Sequence, residues 1–425
     1  MRKRNNNIFK GVDWLLVVFY LFFVFLGWLS IYAATFNEDQ AFAFNLSTKY
    51  GKQIFFIFLS FFLIFFILAI DRKFYERYSG VFYVISLLSL IGLFIFGKNI
   101  NGATSWYHFG NFSIQPSEFA KAATALALAN FLSERGMDLK KLPIQLRTFG
   151  IILMPALLIT LQPDPGSALV YGSLIFVLYR FGLPLYYLVI GFIALLLFII
   201  TLYFGYFLTL VITFILITTF IIYLYYKNKL VFRRNWLSLI AIYFFSGLFI
   251  FSVDYVFNNV FEQRHRDRFD ILLGKKIDTQ GIGYNTAQSV TTIGSGGITG
   301  KGYLQGDRTQ GDFVPEQQTD YIFSTIGEEW GFLGTSFVVL MFVGFLLRLL
   351  YIAERQKLMF SKVYAYSVVV IFLFHFAINI GMVIGLLPTI GIPLPFFSYG
   401  GSSLWGFTLL LFIMIRLDAD RIYEW

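Results

Sequence analysis

Between Val314 and Gly334 the chain reads VPEQQTDYIFSTIGEEWGFLG, which places four acids, Glu316, Asp320, Glu328 and Glu329, where a long polar segment gives way to a hydrophobic run. Carboxylates are costly close to a bilayer, so those that persist there tend to have a function. An acid where loop meets membrane can reach both water and the head group of a lipid. Such a group can take the proton from a hydroxyl, which is otherwise a poor nucleophile.

Other polar clusters could share that work. NGATSWYHFGNFSIQPSEFAK, Asn101 to Lys121, has glycines and asparagines suited to a turn, then Pro116 and Ser117 suited to a helix start. Trp106 fits the membrane–water interface, either as an anchor or in a binding site. Glu118 and Lys121 fall three apart on one helical face, a spacing at which two buried charges are tolerated, as a structural ion pair or in a substrate cavity. LQPDPGSALV, Leu161 to Val170, holds Asp164 in a Pro-Asp-Pro-Gly turn, where only neighbouring polar groups would make the acid more than turn chemistry.

The acidic stretch closes a long loop that begins near Asn258. QRHRDRFD groups Arg264, His265, Arg266 and Arg268, whose forks suit the phosphates of a diphosphate-linked lipid and equally the head groups of bulk lipid. GSGGITGKG, Gly294 to Gly302, fails as a nucleotide loop, because GxxxxGK[ST] needs Gly at Ser295 and Ser or Thr at Gly302. Its glycines indicate a sharp bend or a close approach to a ligand. LLPTIGIPLPFFSYGGSS, Leu386 to Ser403, is too rich in proline and glycine for a regular span, so it must pack in protein or line a cavity. Ser398 precedes Gly400, Gly401, Ser402 and Ser403, which open the last helix with N–H groups ready for an anionic oxygen.

Membrane helices must position these residues. The chain of 425 residues is 58% hydrophobic and 20% aromatic, with only 13% charged residues, about half the charged share of a soluble domain. About twelve apolar runs can cross a ~30 Å hydrocarbon core, near 12–35, 52–70, 78–97, 117–133, 147–162, 167–181, 184–204, 206–226, 236–257, 332–352, 362–387 and 401–416. Open sheets cannot satisfy their backbone groups in lipid, which predicts an all-α polytopic helical bundle, one domain over 1–425.

Basic residues set the expected sidedness. Arg2, Lys3 and Arg4, then Arg72, Lys73 and Arg77, and further groups to Arg355, Lys357 and Lys362, occupy alternate loops. The positive-inside pattern puts both termini in the cytoplasm and the polar clusters, with the long loop 258–331, outside. The net charge of +9 then reflects anionic lipid and calls for no nucleic acid. The first apolar run is too long for a signal peptide and reads as an uncleaved span. Without cysteine there is no disulfide framework, thiolate metal site or cysteine nucleophile. His108, His265 and His375 show no ligand spacing, and His375, inside a span, suits a structural hydrogen bond. A divalent cation, Mg or Mn, shared by outer carboxylates and a diphosphate is compatible with these residues.

In order, GATSW, FSIQPSEFAK, LQPDPGSALV, AQSVTTIGSGGITGKG, VPEQQTDYIFSTIGEEWGFLG and NIGMVIGLLPTIGIPLPFFSYGGSS closely resemble the SEDS family (shape, elongation, division and sporulation) typified by RodA and FtsW, over roughly 100–417. GKGYLQGDRTQGDFVPEQ is more similar to the RodA branch. The resemblance implies a peptidoglycan glycosyltransferase of the bacterial cytoplasmic membrane, polymerising lipid II at the outer face for cell elongation and shape. It implies a class B penicillin-binding protein as partner, with other elongation-complex membrane proteins. It also implies Asp320 of PEQQTD as the catalytic acid, with Trp106, Glu118 and Lys121 in family motifs. Gln318 stands where the family commonly has His, Tyr321 where it has Phe, and Pro165 where it has Leu. The family has ten spans, so the surplus is assigned to 183–257.

On this reading Asp320 is the base toward a sugar hydroxyl. Arg266, Arg268, Lys121 or the helix start at Gly401, Ser402 and Ser403 neutralise the leaving diphosphate, with Glu118, Asp164 and Glu316 orienting those charges. Thr319 and Ser398 complete the expected substrate contacts. Two simpler readings compete. Asp320 could merely cap the helix that follows it. A lipid II flippase would have the same composition, although alternating access wants its polar site near the midplane.

Overall fold

The computed structural model describes residues 11–36, 46–100, 102–110, 112–227, 229–261, 263–275 and 282–421. It divides into two units, Met1–Leu183 with Asn285–Trp425, and Pro184–Tyr284. Arg2, Lys3 and Arg4, on which the expected sidedness partly rests, lie outside the described residues.

The first unit begins with α1 (Trp14–Ala34), α2 (Lys49–Ala69) and α3 (Arg72–Phe96). Side chains start the first two: Asp13 accepts from the Leu16 amide and Thr48 from the Gly51 amide, each at 3.2 Å. A small antiparallel sheet follows, β1 (Lys98–Ile100), β2 (Ala103–Phe109) and β3 (Phe112–Ile114), in that order. It corrects the all-α expectation locally. Ile100 pairs with Ala103, and Phe109 with Phe112. Gly102 and Gly110, beside these pairs, have the positive φ that tight hairpin turns favour.

Next come α4 (Pro116–Ser133), α5 (Leu142–Thr160), α6 (Pro165–Gly172) and α7 (Leu174–Arg180). In the second unit α8 (Tyr186–Phe204), α9 (Tyr206–Lys227) and α10 (Lys229–Tyr255) pack on one another. Gly205, at φ 81°, makes the corner between α8 and α9. A π-helical turn, Val256–Val260, leads to α11 (Gln263–Leu272), where Phe269 packs edge-on to Phe198 at 5.5 Å. The chain continues with α12 (Ile282–Ser295), α13 (Asp307–Gln310), α14 (Ile322–Arg355), α15 (Met359–Val383) and α16 (Gly401–Asp420). Much of the long loop is therefore helical.

Within the first unit α4 is central, with α3, α5, α15 and α16 packed around it and most of its residues buried. Its alanines permit that close approach. A Cβ at Gly406 of α16 would lie 2.9 Å from the Glu118 carbonyl, so this crossing requires glycine.

Among the described residues ten helices are long and apolar enough to cross a membrane: α1, α2, α3, α5, α8, α9, Trp236–Val260, α14, α15 and α16. The other two of the twelve expected runs have different forms. The run at 117–133 is α4, which meets protein on most sides and so carries small residues and an ion pair instead of a greasy surface. The run at 167–181 is interrupted at Ser173, giving helices of 8 and 7 residues. End to end these would cover only ~24 Å.

Candidate active site

Asp320 lies just before α14 and is partly exposed. Its carbonyl accepts from Asn379 Nδ2 of α15 at 2.8 Å, and the Gln318 carbonyl accepts from the Tyr399 amide at 2.8 Å. The N-cap of α14 is Tyr321, whose side chain makes no capping hydrogen bond.

The carboxylate faces the loop between α15 and α16. A Cβ added at Gly391, at φ 79°, would sit 3.5 Å from Asp320 Oδ2, so this glycine is a close neighbour of the carboxylate. A Cβ at Gly166 would meet the Ile390 carbonyl of the same loop at 2.6 Å. The start of α6 thus presses on the strip of backbone that Asp320 faces. Tyr321 Oη and Thr389 Oγ1 are 2.8 Å apart, and both lie near Thr286 Oγ1 of α12. The non-glycine residues Leu304, Asp312 and Glu316 have positive φ on the approach to Asp320, a costly conformation that gathers at functional sites.

Glu316 and Thr319 form a turn. Thr319 donates its amide and hydroxyl to the Glu316 carbonyl, at 3.1 and 3.0 Å, and its hydroxyl also lies 3.3 Å from Glu316 Oε2. Glu328 does structural work. Fully buried, it accepts from Lys301 Nζ at 2.7 Å, Ser295 Oγ at 3.3 Å, the Arg308 amide at 3.1 Å, and the amide and hydroxyl of Thr309 at 2.8 and 2.7 Å. Its hydrogen bond holds the Lys301 ammonium above the ordinary lysine range. Gln317 extends this network toward Asp320 by donating to Thr309 Oγ1 and Thr325 Oγ1 at 3.1 and 2.9 Å. Glu329 accepts the Leu304 amide at 3.1 Å.

The glycine-rich stretch makes its close approach to α14. Lys301 and Gly302 amides donate to the Glu328 and Glu329 carbonyls at 3.0 Å, and Phe332 and Leu333 amides return to Gly297 and Ile298 at 2.9 and 3.0 Å. A Cβ at Gly296 or Gly300 would lie 2.0 or 2.1 Å from a carbonyl oxygen of α14. Gly331, at φ 63°, kinks the helix where the two meet.

Asp164 caps α6, accepting the Ser167 amide and hydroxyl at 3.1 and 2.8 Å, and it also accepts from Gln115 Nε2 at 3.0 Å. The Gln115 amide donates to Ser402 Oγ at 3.1 Å, so Asp164 and Ser402 are joined through one residue. Ser398 Oγ accepts the Leu394 amide at 2.8 Å and fastens the turn before α16. Gly401 is packed against Phe56, where a Cβ would come within 2.9 Å, while Ser403 is partly exposed on the same first turn. Trp106 lies on β2, in register with Lys98 and partly exposed. That strand is tied to the α5–α6 turn by the Thr104 amide donating to the Gln162 carbonyl at 3.2 Å.

Glu118 and Lys121 form the expected ion pair, 2.9 Å apart and buried in the bundle. Lys121 Nζ is also 3.0 Å from His375 Nε2 and 5.0 Å from the centre of the Phe407 ring. Arg266 and Arg268 lie on α11 of the second unit, where Arg266 Nη1 donates to the Asn258 carbonyl at 2.7 Å. The side chains of Arg264 and His265 fall outside the described ones. Among the described residues no group of three or more His, Asp or Glu side chains is placed to hold a metal ion.

Sequence reasoning missed Gln115, Gln317 and Asn379. Gln115 and Gln317 had a signal, as polar side chains inside the quoted motifs. Asn379 had a weaker one, a lone amide in an apolar helix, where an unpaired polar group is expensive.

The family FTSW_RODA_SPOVE, described as cell cycle protein, matches residues 13–422. The peptidoglycan glycosyltransferase RodA of Treponema pallidum (strain Nichols) is 32% identical over 430 residues, covering 96% of this chain and 98% of that protein. The peptidoglycan glycosyltransferase MrdB of Escherichia coli (strain K12) is 32% identical over 340 residues, covering 79% and 76%. A solved chain from work on the structural coordination of polymerization and crosslinking by a peptidoglycan synthase complex superposes with a TM-score of 0.70 at 26% identity, covering 96% of this chain and 98% of that one.

Proposed function

Because the chain belongs to the FtsW/RodA/SpoVE family of cell cycle proteins, we propose that it is a peptidoglycan glycosyltransferase that polymerises lipid II with Asp320 as its base. One observation carries the residue assignment. Asp320 is held by its main chain, is partly exposed and lies beside Gly391 of the loop between α15 and α16. Glu328, by contrast, is saturated with donors.

In this reading a sugar hydroxyl enters beside Gly391 and gives its proton to Asp320 as its oxygen bonds to the anomeric carbon of the donor. The leaving diphosphate takes the electrons of the broken bond. The amides at the start of α16, from Gly401 to Ser403, supply partial positive charge for such a group. Arg266 and Arg268 are proposed as phosphate contacts on their guanidinium chemistry alone. Lys121 and Glu118 neutralise each other inside the bundle. A divalent cation would enter bound mainly to diphosphate and water.

The RodA-like run GKGYLQGDRTQGDFVPEQ supports a role in elongation and shape. The likeness to a peptidoglycan synthase complex supports a class B penicillin-binding protein as partner. The basic-residue pattern supports cytoplasmic termini and an outward-facing site. Purified protein mixed with labelled lipid II should yield polymer that disappears with Asp320→Asn. Transfer of lipid II across vesicle membranes without polymer would replace this reading with a flippase.

A further inference from the structure

Two buried side chains of α15, His375 and Asn379, lie one helical turn apart on the same face and grip consecutive carbonyls of the loop that Asp320 faces. Asn379 Nδ2 donates to the Ile392 carbonyl at 2.7 Å as well as to the Asp320 carbonyl at 2.8 Å. His375 Nδ1 is 3.4 Å from the Pro393 carbonyl, and its Nε2 is 3.0 Å from Lys121 Nζ. The direction of these bonds is set by chemistry. A lysine ammonium paired with Glu118 only donates, so Nε2 must accept. The imidazole is then neutral with its proton on Nδ1, and that proton points to the Pro393 carbonyl. A directed chain therefore runs from Glu118 through Lys121 and His375 into the loop beside Asp320.

We propose that His375 is a positioning residue for the reaction, transmitting the buried ion pair of α4 to the Pro393 turn and so fixing the gap between Asp320 and Gly391. The edge of the ring rests on Phe407, with centroids 4.7 Å apart, and this limits its tilt. The catalytic consequence rests on the reading of Asp320 as the base. The geometric part does not.

Three substitutions separate the two ends of the imidazole. Asn at 375 places a donor where Nδ1 stands but cannot reach Lys121. Gln can reach Lys121 but lacks the donor toward Pro393, and Leu lacks both. Glycan polymerisation from lipid II should fall in kcat by about 10- to 100-fold in His375→Leu, the scale of a misplacement of about 1 Å, with little change in KM. His375→Asn should recover most of that loss and His375→Gln little of it. Equal behaviour of the Asn and Gln variants would overturn the proposal, as would wild-type kcat in His375→Leu.

A second readout needs no activity. The chain contains no cysteine, so Leu386→Cys, at a highly exposed position of the same loop, provides a single thiol. Its rate of maleimide labelling in detergent should rise when His375→Leu is added and stay unchanged with His375→Asn. An unchanged rate in the Leu variant would reject the positioning role even if the parent polymerises normally. An inactive parent with the expected labelling pattern would reject the glycosyltransferase reading instead.

Discussion

The Tyr399 amide donates to the Gln318 carbonyl at 2.8 Å, joining the segment before Asp320 to the segment before α16. The bond is made by main chain on both sides. The identity of the side chain at 318 is therefore not what holds the acid in place, which fits the presence of Gln where the family commonly has His.

Gln318→Ala should accordingly leave polymerisation within about twofold of the parent, the range of substitutions that remove no buried partner. Kinetics on labelled lipid II would check this. A loss of two decades would assign the Gln318 side chain a part in the chemistry.

Asp320→Asn should reduce polymerisation by ~10²–10⁴-fold, or roughly 3–5 kcal/mol in the barrier, the usual contribution of a positioned base. The main-chain bond from Asn379 to the Asp320 carbonyl should survive the change, so the loss should appear in kcat and not in the thermal midpoint by more than a few degrees. Polymerisation near the parental rate would remove the residue from the mechanism.

Glu328→Ala would strand the amides of Arg308 and Thr309 without their buried acceptor and leave Lys301 with Asp307 alone. Stability should fall by ~3–5 kcal/mol, as when one member of a buried pair is deleted. Tryptophan fluorescence during thermal unfolding in detergent would report it.

For the buried pair on α4, Lys121→Met alone should cost ~3–5 kcal/mol by stranding Glu118. Combining it with Glu118→Leu should cost less than the single change. A double mutant with strictly additive losses would contradict the pairing.

Two neighbouring glycines distinguish close approach from backbone freedom. Gly296→Ala drives a Cβ to within 2.0 Å of the Gly327 carbonyl, whereas Gly297, at φ 58°, has nothing within 4 Å of an added Cβ. Gly297→Ala should cost ~1–2 kcal/mol, the left-handed penalty. Gly296→Ala should cost distinctly more, measured by the same unfolding midpoints, because backbone cannot yield as a side chain can.

Much of this was legible in the amino-acid order. Long apolar runs in a chain with few charges indicated a bundle of membrane helices. The acid-bearing motif was legible from carboxylates placed beside such runs. Asp164 and the Glu118–Lys121 pair were readable because turn and helix periodicity fix local neighbours. The hairpins around Trp106 also had a local signal, the Asn-Gly and Gly-Asn dipeptides, that competed with the expectation of helix throughout.

What only the tertiary structure decided is what each polar group faces. Glu328 and Asp320 look alike in sequence, yet one is fully buried among donors from residues 295–309 and the other is partly exposed beside Gly391. Hydropathy could not tell that α4 is walled by helices and not by lipid, since an apolar neighbour is the same signal in either case. The histidine of α15 gained its partners from residues far away in the chain, at 121 and 393. A hydrogen bond depends on direction and distance in space, and the linear order carries neither for residues brought together only by folding.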